Sequence, residues 1–207
     1  MLAAFRKKGG TRNLVRRIEN RLTHVRQALS AVTEARAHAM EWHYREVGEL
    51  LEFMQFILAC LEDLNLVMRN IAQPRGLQEK ALYLRVLVLQ LYEFLEDYRE
   101  IKSVFAKNQS RYFAGTDYQA RLDKVDTRLE QLKRIHHLEF YSIRNMGIAH
   151  IEHDFEKRVA VIEGLDEQKI LRVGGEISEL ISQLYGLLVP MMEQDMYDHI
   201  FSPSKRR

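Results

Sequence analysis

Apolar residues recur at three- and four-residue spacing along most of the 207-residue chain, and this period restricts the fold more than any other feature. From Leu14 through Ile18 to Val32 the spacing is that of an amphipathic helix. Three prolines and ten glycines are too few for the turns of a β-sandwich. The longest apolar run has nine residues, whereas a membrane span needs about 20. The sequence predicts an all-α protein with no membrane partner.

Five helical segments follow from this period, and together they predict a bundle with long antiparallel core helices. The second segment is apolar on nearly all sides, which places it at the centre. Pro74 to Gly76 forms the tightest turn. Thr116 or Asp117 is the expected cap of the fourth helix, and Asp166 of the fifth. We expect the fifth helix to be interrupted at Gly174-Gly175 and kinked at Pro190. The predicted helices cover about residues 11–44, 45–73, 77–107, 118 to the 150s, and 167 onward.

Basic residues are concentrated at the start of the chain. Residues 1–27 carry eight basic side chains and one acidic side chain, a net charge of +7, which leaves −5 on the rest. We therefore divide the chain into a basic N-terminal helical arm (1–44), a helical bundle (45–201) and a disordered tail (202–207). The arm suggests an anionic partner such as RNA, with Arg12, Arg16 and Arg17 as contacts. Alternatively, its charge is the solvated face of a helix that packs on the acidic body.

The single cysteine, Cys60, lies in an apolar run and excludes a disulfide within the chain. It also excludes a zinc site of the Cys-x-x-Cys type. A reducing compartment follows, and we expect a cytoplasmic protein. The first residues, MLAAFRKKGG, lack the apolar region of a secretory signal. They also fit a mitochondrial presequence, although the same stretch carries the helical period.

Titratable residues occupy apolar positions near the end of the fourth helix. The predicted buried stripe runs from Leu122 and includes His136, Glu139 and His150. Burial of such groups costs free energy unless they are paired or used. Three explanations remain open: the helix leaves the core there, the stripe faces a second subunit, or it lines a cleft.

The local sequence favours a cleft. The stretch Arg144-Asn145-Met146-Gly147-Ile148-Ala149-His150 has an Arg-Asn pair followed, after four residues, by a histidine. It resembles the Arg-Asn-x4-His motif of the HEPN superfamily, all-α domains that include metal-independent ribonucleases of toxin–antitoxin and phage-defence systems. The resemblance covers residues 45–190 in architecture and seven residues in motif.

This resemblance implies an endoribonuclease with catalytic residues Arg144, Asn145 and His150, no metal and no cofactor. It also implies a homodimer in which the two motifs face each other, and an antitoxin or other protein partner. Some members carry a modifiable tyrosine two residues after the histidine, but here that position is Glu152. His153 and Asp154 follow closely and are candidates for orienting His150 or binding substrate.

The chemistry is reasonable without the family. RNA supplies its own nucleophile, the 2′-hydroxyl, so cleavage needs a base and a cation for the charge on the phosphate. Histidine titrates near neutral pH, and arginine offers a permanently charged fork. However, six residues of straight helix leave Arg144 and His150 about 120° and about 9 Å apart. The helix must bend at Gly147, or a second copy must complete the site.

Two other functions stay open at this point. A domain of the same family without activity would bind nucleotide, RNA or a protein as a helical dimer. An unrelated helical dimer with a basic arm is the third possibility, and the position of Arg144 relative to a groove would separate it from the first two.

Overall fold

A computed structural model describes residues 2–41, 44–113, 117–145 and 164–201, with side chains over 11–41, 44, 47–103, 117–145 and 164–193. Helices account for 94% of these residues, and no strand occurs among them. The all-α bundle is therefore confirmed. The five helices are α1 (Leu2–Glu41), α2 (Arg45–Ala72), α3 (Leu77–Phe113), α4 (Tyr118–Arg144) and α5 (Glu167–Phe201).

Helix α2 occupies the centre because apolar side chains cover most of its circumference. Leu51, Met54 and Ile57 are completely buried, and α2 packs against α1, α3 and α5. The structure confirms the central position expected from the sequence. The core is wider than α2, α3 and α4, because buried side chains of α1 and α5 belong to the same cluster.

Helices α1 and α2 run antiparallel. Arg26 pairs with Glu62 at 2.6 Å and Arg36 with Glu52 at 3.3 Å, a register that places residue 16 level with Ala72. The part of α1 before residue 16 therefore extends about 20 Å past the end of α2. Among the α1 side chains that the structure describes, which start at Thr11, the first buried one is Val15 and not Leu14 as predicted, because Leu14 lies on the neighbouring side of the helix and is 48% exposed.

Helix α5 continues through Gly174-Gly175, so the predicted interruption is wrong. A Cβ on residue 174 would lie 3.4 Å from Leu87 Cδ2 and 3.6 Å from Met68 Sδ. Gly174 therefore brings the backbone of α5 close to α3 and α2, and packing outweighs the low helix propensity of glycine. Pro190 also lies within the helix.

The ends of the helices partly follow the predicted signals. Asp166 caps α5 as expected, because its Oδ1 accepts a hydrogen bond from the Lys169 N–H at 3.0 Å. Asp117 precedes α4, but its side chain makes no capping hydrogen bond. Helix α3 extends to Phe113, six residues beyond the end predicted near residue 107. The predicted tail at 202–207 lies outside the described residues.

Helix α4 runs antiparallel to both α3 and α5, the latter shown by the pairs Glu139–Lys169 and Arg128–Glu176. Ion pairs join Glu96 to Lys133 at 3.0 Å, Lys102 to Asp126, and Lys169 to Glu139 at 2.6 Å. These pairs fix the end of α4 between the middle of α3 and the start of α5. Within the described ranges, none of the helices combines the length and apolarity that crossing a bilayer requires.

Candidate active site

Arg144 is the last residue of α4 and lies half-buried against α3. Its guanidinium carbon stands 5.4 Å from the centre of the Tyr92 ring, and its Nη1 donates to Asn145 Oδ1 at 3.3 Å. The Nε–H is buried and donates no hydrogen bond within the described part of the chain. A guanidinium held in this way is suited to bind an anion such as a phosphate oxygen.

Asn145 continues the helical path of α4. Its φ and ψ are −70° and −44°, and its backbone N–H is shared between the carbonyls of Tyr141 and Ser142. The amide oxygen of Asn145 is therefore held beside Arg144 by the helix itself. Arg144 and Asn145 form a rigid pair at the entrance to the motif.

Tyr92 joins three residues of α4 that share one face at i, i+4 and i+7. The ring centres of His137 and Tyr141 lie 5.7 and 6.2 Å from that of Tyr92, and Arg144 lies over the same ring. His137 also stacks on Tyr141 at 6.1 Å with an angle of 14° between the rings. This aromatic cluster (Tyr92, His137, Tyr141) supports the guanidinium through a cation–π contact.

Glu96 orients His137. The His137 Nδ1 lies 3.0 Å from Glu96 Oε1, and Lys133 Nζ lies 3.0 Å from the other oxygen of the same carboxylate. A carboxylate only accepts, so Nδ1 donates, and Nε2 of the neutral ring carries the lone pair. In this tautomer Nε2 is the atom that can accept a proton, as a general base requires. His137, Glu96, Tyr92 and Tyr141 were not among the site residues predicted from the sequence.

His136 and Glu139 form a separate polar group between α4 and α5. The His136 ring is buried and stacks on Phe140, and its Nδ1 lies 3.6 Å from Glu139 Oε2, too far for a hydrogen bond. Lys169 Nζ contacts the same carboxylate oxygen at 2.6 Å. His136 is buried as predicted, whereas Phe140 occupies the buried position assigned to Glu139. Among the described residues, the carboxylate of Glu139 therefore forms an ion pair with Lys169 and not with Arg144.

The other motif residues lie outside the described part of the chain. His150, His153 and Asp154 belong to residues 146–163, so their distances from Arg144 stay predictions. The same holds for the bend at Gly147. In the part of the chain that the structure describes, no three His, Cys, Asp or Glu side chains are placed to hold a metal ion.

The three arginines predicted to bind RNA are all exposed on α1. Arg12 and Arg16, four residues apart, lie on one side of the helix, and Arg17 lies about 100° away from Arg16. Arg12 and Arg17 line a cavity together with Arg21, and Arg16 is not among its lining residues. The arm thus presents cations in at least two directions.

An apolar stripe lies on the solvent side of α4, one turn before the motif. Ile135, Leu138 and Tyr141 are 62%, 80% and 46% exposed and follow one another at three-residue spacing. We call these three residues the α4 stripe. Large apolar side chains grouped on a surface are typical of an interaction site.

Comparison of the chain with models of protein families, with curated proteins and with solved structures finds no match.

Proposed function

We propose that the protein is a metal-independent endoribonuclease of the HEPN type, acting in the cytoplasm as a toxin or phage-defence component. The observation that carries the proposal is Arg144. Its guanidinium is held by Tyr92 and Asn145, its Nε–H is unused within the described residues, and His150 follows at the motif spacing. A structural arginine at a helix end would be expected to pair with a carboxylate.

In the proposed reaction, the 2′-oxygen of the RNA attacks the adjacent phosphorus while His150 removes its proton. The bond from phosphorus to the 5′-oxygen breaks, and that oxygen receives a proton. The products are a 2′,3′-cyclic phosphate and a free 5′-hydroxyl. Arg144 binds the phosphate oxygens as negative charge develops, and Asn145 holds the guanidinium in place.

A homodimer would bring two motifs together. The α4 stripe supports this part of the proposal, because it is apolar and exposed and ends at Tyr141, within one turn of Arg144 on the same helix. Twofold symmetric dimers bury the same patch of both subunits. Contact between two α4 stripes would place two copies of Arg144 on either side of one groove.

The test is to incubate the purified protein with RNA, with and without EDTA, and to compare the His150→Ala variant. We expect cleavage that survives chelation, cyclic phosphate ends, and a loss of at least ~10²-fold in rate for the variant. His24→Ala is the matched control, because His24 is an exposed histidine of α1 far along the chain from the motif. Cleavage that stops with EDTA, or that persists in His150→Ala, would contradict the proposal.

The pair His137–Glu96 provides a sharper version of this test. If His150→Ala stays active and His137→Ala does not, the base is His137 and the HEPN assignment is wrong. If only His150→Ala loses activity, His137 belongs to the support of Arg144.

A second candidate is a binding module of the same family without catalysis. The α4 stripe favours it, since the stripe fits a protein partner such as an antitoxin as well as a second copy. Expression in a bacterial host separates the two functions. A ribonuclease toxin slows growth and His150→Ala relieves the effect, whereas a binding module gives the same growth with either chain.

A further inference from the structure

A cavity of about 1020 Å³ lies where α1 passes the end of α2. Its walls come from the exposed start of α1, the last two turns of α2, the turn at Pro74 and the first turns of α5. Arg144 and Asn145 are on another part of the fold and do not line it. Its size is at the upper end for sites that enclose small molecules.

The walls of the cavity are aliphatic. They are formed mainly by Leu14, Ile18, Met68, Ile71 and Leu171, and no aromatic ring is present among the described lining residues. A nucleotide base binds best between aromatic or guanidinium planes, so this wall does not favour one. It favours a flexible hydrocarbon chain, whose burial removes apolar surface from water.

The rim of the cavity is cationic. Arg12, Arg17, Arg21 and Lys80 line it, against one acidic residue, Glu167. Lys80 is neutralised by Glu167 at 2.5 Å, and Arg21 lies 3.8 Å from Glu179. Arg12 and Arg17 form no ion pair within the described part of the chain. The positive end of the α5 dipole adds to their field. An anionic head group is therefore the complement of this rim.

Asn65 gives an independent indication of a ligand. It is completely buried and lines the cavity, and its Nδ2 donates to the Leu61 carbonyl at 2.6 Å. Its Oδ1 accepts no hydrogen bond from any described group. A buried acceptor of this kind needs a donor. By the register of α1 on α2, Asn65 lies about 9 Å deeper than Arg17, at the end of the cavity opposite the free cations.

We propose that this cavity binds an amphipathic anion, an unbranched aliphatic carboxylate of medium length, with its head group at Arg12 and Arg17. The chain lies against the aliphatic walls, and a hydroxyl at its far end donates to Asn65 Oδ1. The inference does not depend on the ribonuclease proposal, because none of the motif residues takes part.

Calorimetric titration with decanoate and 10-hydroxydecanoate, both below their micelle concentrations, tests the inference. We expect binding of both, tighter binding of the hydroxy acid, weaker binding of hexanoate, and none of decyltrimethylammonium. The double variant Arg12→Ala/Arg17→Ala should bind about tenfold or more weakly, since it removes two charge-assisted hydrogen bonds to the carboxylate.

Two further variants define the site. Arg16→Ala is the matched control, because Arg16 is an exposed arginine of the same helix that does not line the cavity. The affinity of this variant for decanoate should equal that of the native chain. Gly175→Leu should abolish binding, because Gly175 lines the cavity and a side chain at this position would enter it. A Cβ on residue 175 would meet nothing within 4 Å among the described residues. Circular dichroism checks that each variant is folded.

The inference is overturned by absence of decanoate binding at millimolar concentration, by equal affinity of the native chain and the double variant, or by equal binding of the cationic amphiphile. If Gly175→Leu fails to fold, the double arginine variant decides the question alone.

Discussion

Two side chains near the end of α4 are held firmly in place. Arg144 is fixed by an aromatic ring and an adjacent amide, and His137 by a carboxylate of α3. Firm placement is what a transition state requires of its binding groups, because it reduces the reorganisation needed during the reaction. The identity of each group then matters more than its charge alone.

Arg144→Lys should therefore fail to restore activity. A lysine keeps the positive charge but replaces the planar fork with a point charge that cannot bind two phosphate oxygens side by side. We expect Arg144→Ala to lose at least ~10²-fold in the rate of RNA cleavage, and Arg144→Lys to recover only part of it. Arg172→Ala is the control, since Arg172 is an exposed arginine of α5. Full activity in Arg144→Lys would mean that only charge is needed.

Cys60 should be chemically inert in the folded protein. Burial, together with the nearby carboxylates of Asp63 and Asp97, raises the pKa of the Cys60 thiol to about 12. The thiolate, which is the reactive form, is then about a thousandfold scarcer at pH 8 than for an ordinary thiol. Iodoacetamide should react far more slowly with the native protein than with protein unfolded in guanidinium. Equal rates would show that the thiol is not shielded.

The raised pKa of Cys60 also predicts the direction in which stability changes with pH. Between pH 9 and 12 the folded chain retains a thiol proton that the unfolded chain releases. The free energy of unfolding of the native chain should therefore fall over this range. The free energy of unfolding of the Cys60→Ala variant should fall less steeply. Urea unfolding at several pH values measures the difference.

At the scale of elements, α5 contains two adjacent glycines with different surroundings. Gly174 faces Leu87 and Met68, whereas Gly175 faces open space. Gly174→Leu should cost ~1–3 kcal/mol of stability through overpacking. Gly175→Leu should cost nothing or gain up to ~1 kcal/mol, because leucine has the higher helix propensity. Urea unfolding of both variants tests this, and equal effects would mean that helix propensity alone decides.

The α4 stripe gives a prediction on assembly. Leu138→Glu should shift the protein from dimer to monomer, because a carboxylate at the centre of an apolar contact must be desolvated. Leu77→Glu is the matched control, since Leu77 is 86% exposed and lies on α3, outside the stripe. Sedimentation at micromolar concentration distinguishes the two states. A native chain that is already monomeric would rule out the dimer.

Helix type could be predicted from the sequence because the period of apolar residues is a local property. The same period assigns Glu139 to the buried stripe, whereas the stripe continues from His136 to Phe140 and Ile143. A step of three and a step of four both fit the period, so the period alone does not decide between residues 139 and 140. An interruption at Gly174 was expected because the sequence does not reveal that Leu87 faces that glycine.

The candidate site could be predicted from the sequence only in part, for the same reason. Arg144 and Asn145 could be chosen from their spacing to His150. The contacts of Tyr92 and Glu96 with His137 depend on the register between α3 and α4, which one-dimensional periodicity does not contain. The repeated acidic residues on α3 and the spacing of His137 and Tyr141 were the only signals in the sequence.

On the scale of the whole molecule, positive charge is separated from the acidic body. Residues 1–27 carry a net charge of +7 and the rest −5, and the start of α1 extends past the end of α2. Phosphate contacts made by such an arm release counterions and lack sequence preference. The arm should therefore affect affinity for RNA and not the chemical step at Arg144.

Deletion of residues 1–13 should leave turnover on a short, saturating RNA nearly unchanged. It should reduce the slope of log affinity against log salt by about one unit for each phosphate that the arm neutralises. Val15 is the first buried residue among the described side chains of α1, so the deletion removes no described residue of the core. Filter binding at several salt concentrations measures the slope. An unchanged slope would mean that the arm keeps the surface charged without contacting RNA.

The order in which the helices pack has a consequence for synthesis on the ribosome. Helices α1 to α4 each contact the next one in the chain, so they can pair as they emerge. Helix α5 instead contacts α2, α3 and α4 and contributes the fully buried Ile177, Ile181 and Leu188. Until α5 has been made, the apolar side of α2 that it covers is exposed to water. A nascent chain of four helices is therefore the species that most needs protection from aggregation.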